Sequence, residues 1–400
     1  MQNEAETPPK STDTVARWLR WLPLRAFLWV GLIAAFLSLF RSTLGQATDF
    51  EVFWTVGQAL AKHLSFYDVT QDTGMIFKYP PWIAILFYPL AWVDFVTGKG
   101  LWALVELLSL MSVIWSLRRD FRVSEFAILA LFPLYWGIWV VHFLDGQIML
   151  PVLAVFLFFL ARPKWDSSTR GIVPLLMSVK IFTLFPMLAV LDRFKNKRAI
   201  YSTIVLLISF SAGTAFLSYD GNIALMMHKW SEAAASGGRL LEPGQTRGSK
   251  SQSVVSFFCR VTQVPTDHVR TEVLLSGLLF AAAFLLLRWR KTPGAQSRWG
   301  DLTPIDFVFI YLALTPPLHP LPWHHLYVWT FPLAVYRFDR DNKKPFYWFA
   351  IFLLTLSSTR AIPIFGVGEF LEWNVGRAWG ALLLVAQTVF SKTKSMSPAA

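Results

Sequence analysis

The chain carries a single cysteine, Cys259, in 400 residues. That excludes an intrachain disulfide and any metal site built on several cysteines. Charge is scarce as well: 16% of residues are Asp, Glu, Lys or Arg, against about a quarter in water-soluble domains. No internal repeat is visible, which counts against the inverted-repeat transporter folds. What fills the chain instead is apolar. Hydrophobic residues make up 54% of it, with a mean hydropathy of +0.46. They fall in blocks such as residues 26–40, 101–117, 202–217 and 273–287, close to the ~20 residues of a bilayer-spanning helix. The expected fold is all-α, a polytopic membrane protein with about 11–12 transmembrane helices. Nineteen tryptophans, many beside block ends (Trp18, Trp82, Trp165, Trp289), fit interfacial aromatic belts.

The net charge of +12 could suggest nucleic acid, but its location argues otherwise. Basic residues collect in short segments between apolar blocks (Arg193, Lys195, Lys197, Arg198; Arg288, Arg290, Lys291; Arg337, Arg340, Lys343, Lys344), as the positive-inside rule requires. The reading is a cytoplasmic tail over residues 1–23, a membrane domain over 24–390 with outer loops at 45–80, 219–270, 319–325 and 358–375, and a cytoplasmic tail over 391–400. No small-residue cleavage site follows the first block, so it is read as an uncleaved helix. Residues 81–96 and 101–117 read as a tight pair joined near Gly98–Gly100. Simple counting puts Arg118, Arg119, Arg122, Arg162, Lys164 and Arg170 outside, against the charge rule. Either those segments break it, or one of the blocks interrupted by Pro133, Pro174 or Pro186 is re-entrant. Such breaks survive at membrane depth only where protein or a water-filled cavity covers them.

Five constellations could carry chemistry. Thr48 or Asp49 is expected to cap a short interfacial helix over residues 50–63; a carboxylate at the membrane surface is also a general base for an acceptor hydroxyl. Lys78 and Tyr79, before Pro80-Pro81, put a cation and a donor where a lipid phosphate would sit, although Lys78 could equally snorkel to headgroups. Lys180, inside the block 171–190, costs about 2.5–3.5 kcal/mol at a bilayer centre. It therefore implies a polar pathway or a structural ion pair. Asp145-Gly146-Gln147 precedes it. The outer loop holds the polar stretch 248–253 followed by Arg260. His319-Pro320-Leu321-Pro322-Trp323-His324-His325 has the histidines for a metal site but no carboxylate alongside, and is read as donors to a phosphate or sugar.

In this order these pieces resemble the polytopic GT-C glycosyltransferases, and more narrowly glycosyltransferase family eighty-seven, which uses polyprenyl-phosphate sugars. The resemblance runs from about Asp49 to His325 and rests on Asp49-Phe50, Lys78-Tyr79-Pro80-Pro81, Gly146-Gln147, Lys180, Gln252-Ser253 with Arg260, and Trp323-His324-His325. It implies Asp49 as catalytic base, with Lys78, Tyr79, Lys180, Arg260 and His324 or His325 at the donor phosphate. It places Gln147, Gln252, Ser253, His319 and Trp323 around the sugar and acceptor. Lys250-Ser251-Gln252-Ser253 departs from the Asn-Gln-Ser more usual there, and the stretch before Trp323 from Ser-Pro-Ile-Ser, which leaves the acceptor and donor sugar open.

The implied reaction is inverting transfer of a hexose, mannose foremost, or a pentose from a polyprenyl-phosphate donor to a lipid or glycan acceptor. It would run at the outer face of the cytoplasmic membrane, with membrane lipids as further partners. With no Asp-x-Asp near Asp49 and a monophosphate leaving group, no cofactor and no obligatory metal are expected. The competing class is a transporter or flippase for a lipid-linked or anionic solute, with Lys180 and the histidines as its pathway.

Overall fold

The computed structural model describes residues 22–45, 47–72, 76–161, 171–190, 197–236, 253–262, 269–290, 302–319, 324–356 and 376–390. Among these residues the secondary structure is helical throughout, with no strand. Helices α1 (Leu22–Gly45), α2 (Thr48–Ala61) and α3 (Phe66–Asp72) lead to α4 (Pro81–Ala84), which tightens into a 3-10 segment, Ile85–Trp92. Next come α5 (Phe95–Arg119), α6 (Glu125–Leu134), α7 (Trp136–Asp145), α8 (Met149–Ala161) and α9 (Ile172–Met177), the last followed by a 3-10 segment, Ile181–Val190. The second half holds α10 (Lys197–Leu217), α11 (Ile223–Ser236), α12 (Val254–Val261), α13 (Val269–Arg290) and α14 (Pro304–Leu318). A 3-10 segment, His324–Thr330, then opens α15 (Phe331–Asp341), followed by α16 (Pro345–Leu356) and α17 (Gly376–Phe390).

Among the described residues, three helices are long and apolar enough to cross a membrane, within α1, α5 and α10. The pair α6 and α7, bent by 69°, counts as a fourth if taken as one span. Shorter apolar helices, among them α8, α14 and α16, complete the bundle. Their outward faces are apolar: Phe27 on α1 is 72% exposed and Phe216 on α10 is 81% exposed. A water-soluble fold hides such rings, whereas lipid accepts them, so the structure is that of a polytopic membrane protein.

Two boundaries differ from expectation. The turn between the 3-10 segment and α5 lies at Val93–Asp94, not near Gly98–Gly100, which are inside α5. Asp94 is the cause, since its carboxylate accepts from the backbone N–H groups of Val96 and Thr97, at 3.0 Å each, and so starts the helix early. At α2 the N-cap is Ala47, in a left-handed conformation with no side-chain cap. Asp49 lies in the first helical turn instead, which leaves its carboxylate for another partner.

Lipid provides no hydrophobic force between helices, so close packing and polar contacts must align them. Gly57 of α2 shows the packing: a Cβ there would lie 2.4 Å from the carbonyl oxygen of Phe87. At the end bearing the basic loop, Arg337 is not a free surface charge. It is buried, 2.7 Å from Asp341 and 3.7 Å from Asp306, and Lys344 meets Asp341 at 2.5 Å.

The polar contact that positions the site is a bracket across α1, α5 and α7. Glu106 of α5 is fully buried. Thr43 of α1 directs its hydroxyl at the Glu106 carboxylate and at the carbonyl of Phe143, both at 2.9 Å. His142 of α7, also fully buried, sets Nε2 3.5 Å from the other Glu106 oxygen. Replacing Glu106 with Leu leaves Thr43 only the Phe143 carbonyl and removes the oxygen that His142 faces, and should cost up to about 3 kcal/mol. Glu106→Gln keeps an acceptor for Thr43 and should cost less, roughly 1–2 kcal/mol. Thermal unfolding in detergent reads both; equal losses would show that the bracket acts by shape alone.

Candidate active site

Where α1 ends, the chain turns back through Ala47, whose backbone N–H donates to the carbonyl of Leu144 at 2.8 Å. This pins the start of α2 against the end of α7. The crossing is tight: Gly146 has φ 66°, and a Cβ on it would lie 3.1 Å from the Cβ atoms of both Ala47 and Phe50. Only glycine meets both demands without strain. Trp102 of α5 closes the third side, its indole N–H donating to the Gly146 carbonyl at 2.8 Å. The turn delivers Gln147 onto Asp49, and the Gln147 amide donates to the Asp49 carboxylate. The other amide atom, Oε1, is buried and has no hydrogen-bond partner among the described residues.

Five further sequence-assigned residues converge here. Lys78 and Tyr79 stand just before α4. The Lys78 carbonyl accepts from the Trp230 indole of α11 at 3.2 Å, and Trp230 packs edge-on against Trp82, centroids 6.0 Å apart. Trp82 in turn donates to the Ser178 hydroxyl at 2.8 Å, which joins this segment to the one bearing Lys180. Lys180 is not in a bilayer helix, as its block suggested, but at the bend between α9 and the 3-10 segment Ile181–Val190. Its ammonium lies 5.8 Å from the Tyr79 ring centroid. No carboxylate lies within ion-pair distance of it among the described residues, so the structural ion pair is not found there. His319 caps the end of α14, buried and within electrostatic reach of Lys180 and His325. His325 is buried as well, with Nδ1 3.6 Å from the Asp145 carboxylate.

These charges bear directly on Asp49. Burial, and then the negative charge of Asp145, push its carboxyl up to about 6. Lys180, the Gln147 hydrogen bond and Lys78 act in the opposite sense. Burial draws the Lys78 ammonium below its ordinary value against the pull of Asp49. Burial and Asp49 together hold the Tyr79 phenol well above its own.

Ser253 is buried at the start of α12, and Arg260 is on that helix with its side chain outside the described residues. Gln252 and Trp323 lie outside the described residues, and of His324 only the backbone, opening the 3-10 segment, is described. Among the described residues no group of three or more His, Cys, Asp or Glu side chains could hold a metal ion. Sequence reasoning left Asp145 without a role and passed over Glu106, His142 and Trp230. Glu106 carried a signal, since a carboxylate inside an apolar block demands the same explanation as Lys180.

Residues 77–303 match the model of glycosyltransferase family 87. That stretch contains Lys78, Asp145, Gln147 and Lys180, while Asp49 and His325 flank it. A polyprenol-phosphate-mannose-dependent alpha-(1-2)-phosphatidylinositol pentamannoside mannosyltransferase of Mycolicibacterium smegmatis is 24% identical over 345 residues, covering 81% of this chain and 77% of the relative. A protein of the same description from Mycobacterium tuberculosis is 22% identical over 344 residues, covering 81% and 74%. No solved structure matches. With more than half of its length matched by the family model, the chain belongs to glycosyltransferase family 87.

Proposed function

We propose that the protein transfers a mannosyl residue, with inversion, from a polyprenyl-phosphate donor to a glycolipid or glycan hydroxyl at the extracytoplasmic face of the cytoplasmic membrane. The observation that carries this reading is the pairing of Asp49, held by Gln147 and kept basic, with Lys78 and Lys180 beside it. Both curated relatives are described as using polyprenol-phosphate mannose and acting on a phosphatidylinositol mannoside, which supports the donor class and a glycolipid acceptor. The acidic and cationic groups divide the work. Asp49 accepts the proton of the acceptor hydroxyl as its oxygen bonds to the anomeric carbon. The bond from that carbon to the phosphate oxygen breaks, and the electron pair leaves with the lipid monophosphate. Lys78, Lys180, Tyr79 and His325 surround the developing charge in a site of low dielectric, where preorganised donors act strongly. Gln147 Oε1 supplies a buried acceptor for a substrate hydroxyl.

Because the Asp49 carboxyl titrates at about 6, kcat/KM should rise as pH increases through that value and level off above it. The same shift makes the ionised carboxylate a cost to the fold, present once pH exceeds about 6 and absent below the ordinary carboxylate range. Asp49→Asn should therefore lower turnover by about 10²–10⁴-fold, with thermal stability at pH 7.5 equal to or above wild type. Radiolabel transfer from polyprenyl-phosphate mannose, measured on the preparation used for unfolding, decides both. Turnover near wild type would remove Asp49 as the base.

Lys180→Met keeps the apolar stem and removes the charge. It should fold normally and lower transfer roughly ten- to hundredfold. Solute uptake into proteoliposomes, blocked by this change and accompanied by no sugar transfer in either form, would establish the transporter instead.

A further inference from the structure

We propose that Asp145 is a positioning residue serving both halves of the reaction centre: it orients His325 toward the lipid phosphate and sets the negative potential in which Asp49 works. The inference rests on the glycosyl-transfer reading and deepens it.

Local structure gives Asp145 no reason to be acidic. It is the last residue of α7, followed by Gly146 as the left-handed C-cap. A carboxylate at a helix C-terminus opposes the helix dipole, and a cation would be preferred there. What the position offers is access to both sides of the site. Two residues on, Gln147 holds Asp49; across the packed 3-10 segment His324–Thr330, Asp145 lies 3.6 Å from His325 Nδ1. A carboxylate facing Nδ1 fixes the imidazole ring and favours its protonated form, and it directs the opposite edge, Nε2, elsewhere. The His325 side chain is 3% exposed and that of Asp145 27%, so the pair runs from the protein interior toward its surface. The ring of His142 stands edge-on to that of His325, centroids 6.4 Å apart, and Glu106 backs His142. The order Asp145, His325, His142, Glu106 thus links the site to the bracket that aligns α1, α5 and α7.

The charged and titratable groups around Asp49 are Asp145 at the end of α7, Lys180 at the bend after α9, Lys78 and Tyr79 before α4, and Glu106 of α5. Around His325 they are Asp145, His142 and His319. Glu106 also neighbours Asp49 but faces His142, whereas Asp145 is the acid that faces His325. Burial remains the largest influence on Asp49 and Asp145 the second. Removing the Asp145 charge therefore lowers the pH at which Asp49 ionises without returning it to the ordinary range.

The test uses the full chain in nanodiscs, as wild type, Asp145→Asn and Asp145→Glu. Mannosyl transfer from polyprenyl-phosphate mannose to added phosphatidylinositol mannoside is followed across pH, and farnesyl phosphate binding is followed separately by tryptophan fluorescence. Asp145→Asn should move the acid limb of kcat/KM down by about one pH unit and weaken farnesyl phosphate several-fold. Asp145→Glu should keep the wild-type limb and recover part of the binding. An unmoved limb in Asp145→Asn, whatever its rate, or unchanged farnesyl phosphate binding, overturns the proposal. Should the Asn variant fail to accumulate, Asp145→Ser is read in the same way, and failure of both makes Asp145 a folding residue and overturns it too. If wild type transfers no sugar, it is the functional reading that fails, and farnesyl phosphate binding still decides whether Asp145 supports an anion beside His325.

Discussion

A carboxylate sealed from solvent between three helices governs the geometry of this protein. Glu106 takes the Thr43 hydroxyl on one oxygen and faces His142 with the other. In lipid the packing of apolar faces is nearly indifferent to rotation and sliding, because tails and leucines are alike. A buried polar contact is not indifferent, since each unmet group costs the full desolvation of a hydrogen-bonding atom. The bracket therefore sets the register of α1 against α5 and α7. Everything at the site follows from that register: Ala47 reaches Leu144, Gly146 fits under Phe50, and Gln147 arrives at Asp49.

The electrostatics form a balance of opposed charges. Asp49 has an acid neighbour, Asp145, and two cationic ones, Lys78 and Lys180. Burial and then Asp145 raise the carboxyl above its ordinary value, while Lys180, the Gln147 hydrogen bond and Lys78 pull it back. A value near 6 leaves it ionised in a neutral medium and still able to accept a proton, as a general base requires. In the proposed reaction the cations that favour its ionised form are also the ones that receive the lipid phosphate.

Much of this was legible in the sequence, and the limits are physical. The all-α membrane character followed from block length, the need for a polar setting at Lys180 from the cost of placing charge in apolar surroundings, and the grouping of Asp49, Lys78, Tyr79 and Lys180 from the family resemblance. The helix after the first span was expected at residues 50–63 and lies at Thr48–Ala61. Its cap was misassigned because Thr and Asp are strong local N-caps, while the tertiary bond from Ala47 to Leu144 took over that end. Lys180 was assigned to a helix because apolar content does not distinguish a continuous span from α9 and a 3-10 segment joined by a bend. Glu106 was passed over because a single acid in a 25-residue helix leaves the hydropathy almost unchanged. Its three-helix partnership depends on contacts 63 residues away in sequence, which no local pattern encodes.

The bends explain how a bundle in lipid comes to have a reaction centre at all. A continuous helix satisfies its own backbone and presents only side chains, so it can line a cavity but cannot turn one residue sharply onto another. At Gly146 and at Ser178–Lys180 the helical ladder stops, and both breaks are tied down inside the protein: the Gly146 carbonyl accepts from Trp102, and the Ser178 side-chain hydroxyl accepts from Trp82. Such irregular backbone persists in a membrane protein only when it is covered, and here the covering groups are tryptophans that also tie the breaks to α5 and α4. One break presents Gln147 to Asp49 and the other presents Lys180 toward Tyr79. A lipid-linked sugar carries its charge at the boundary between tail and headgroup. In the proposed reaction, breaks of this kind let a base and cations from separate segments meet around the anomeric carbon without drawing the lipid tail out of the bilayer.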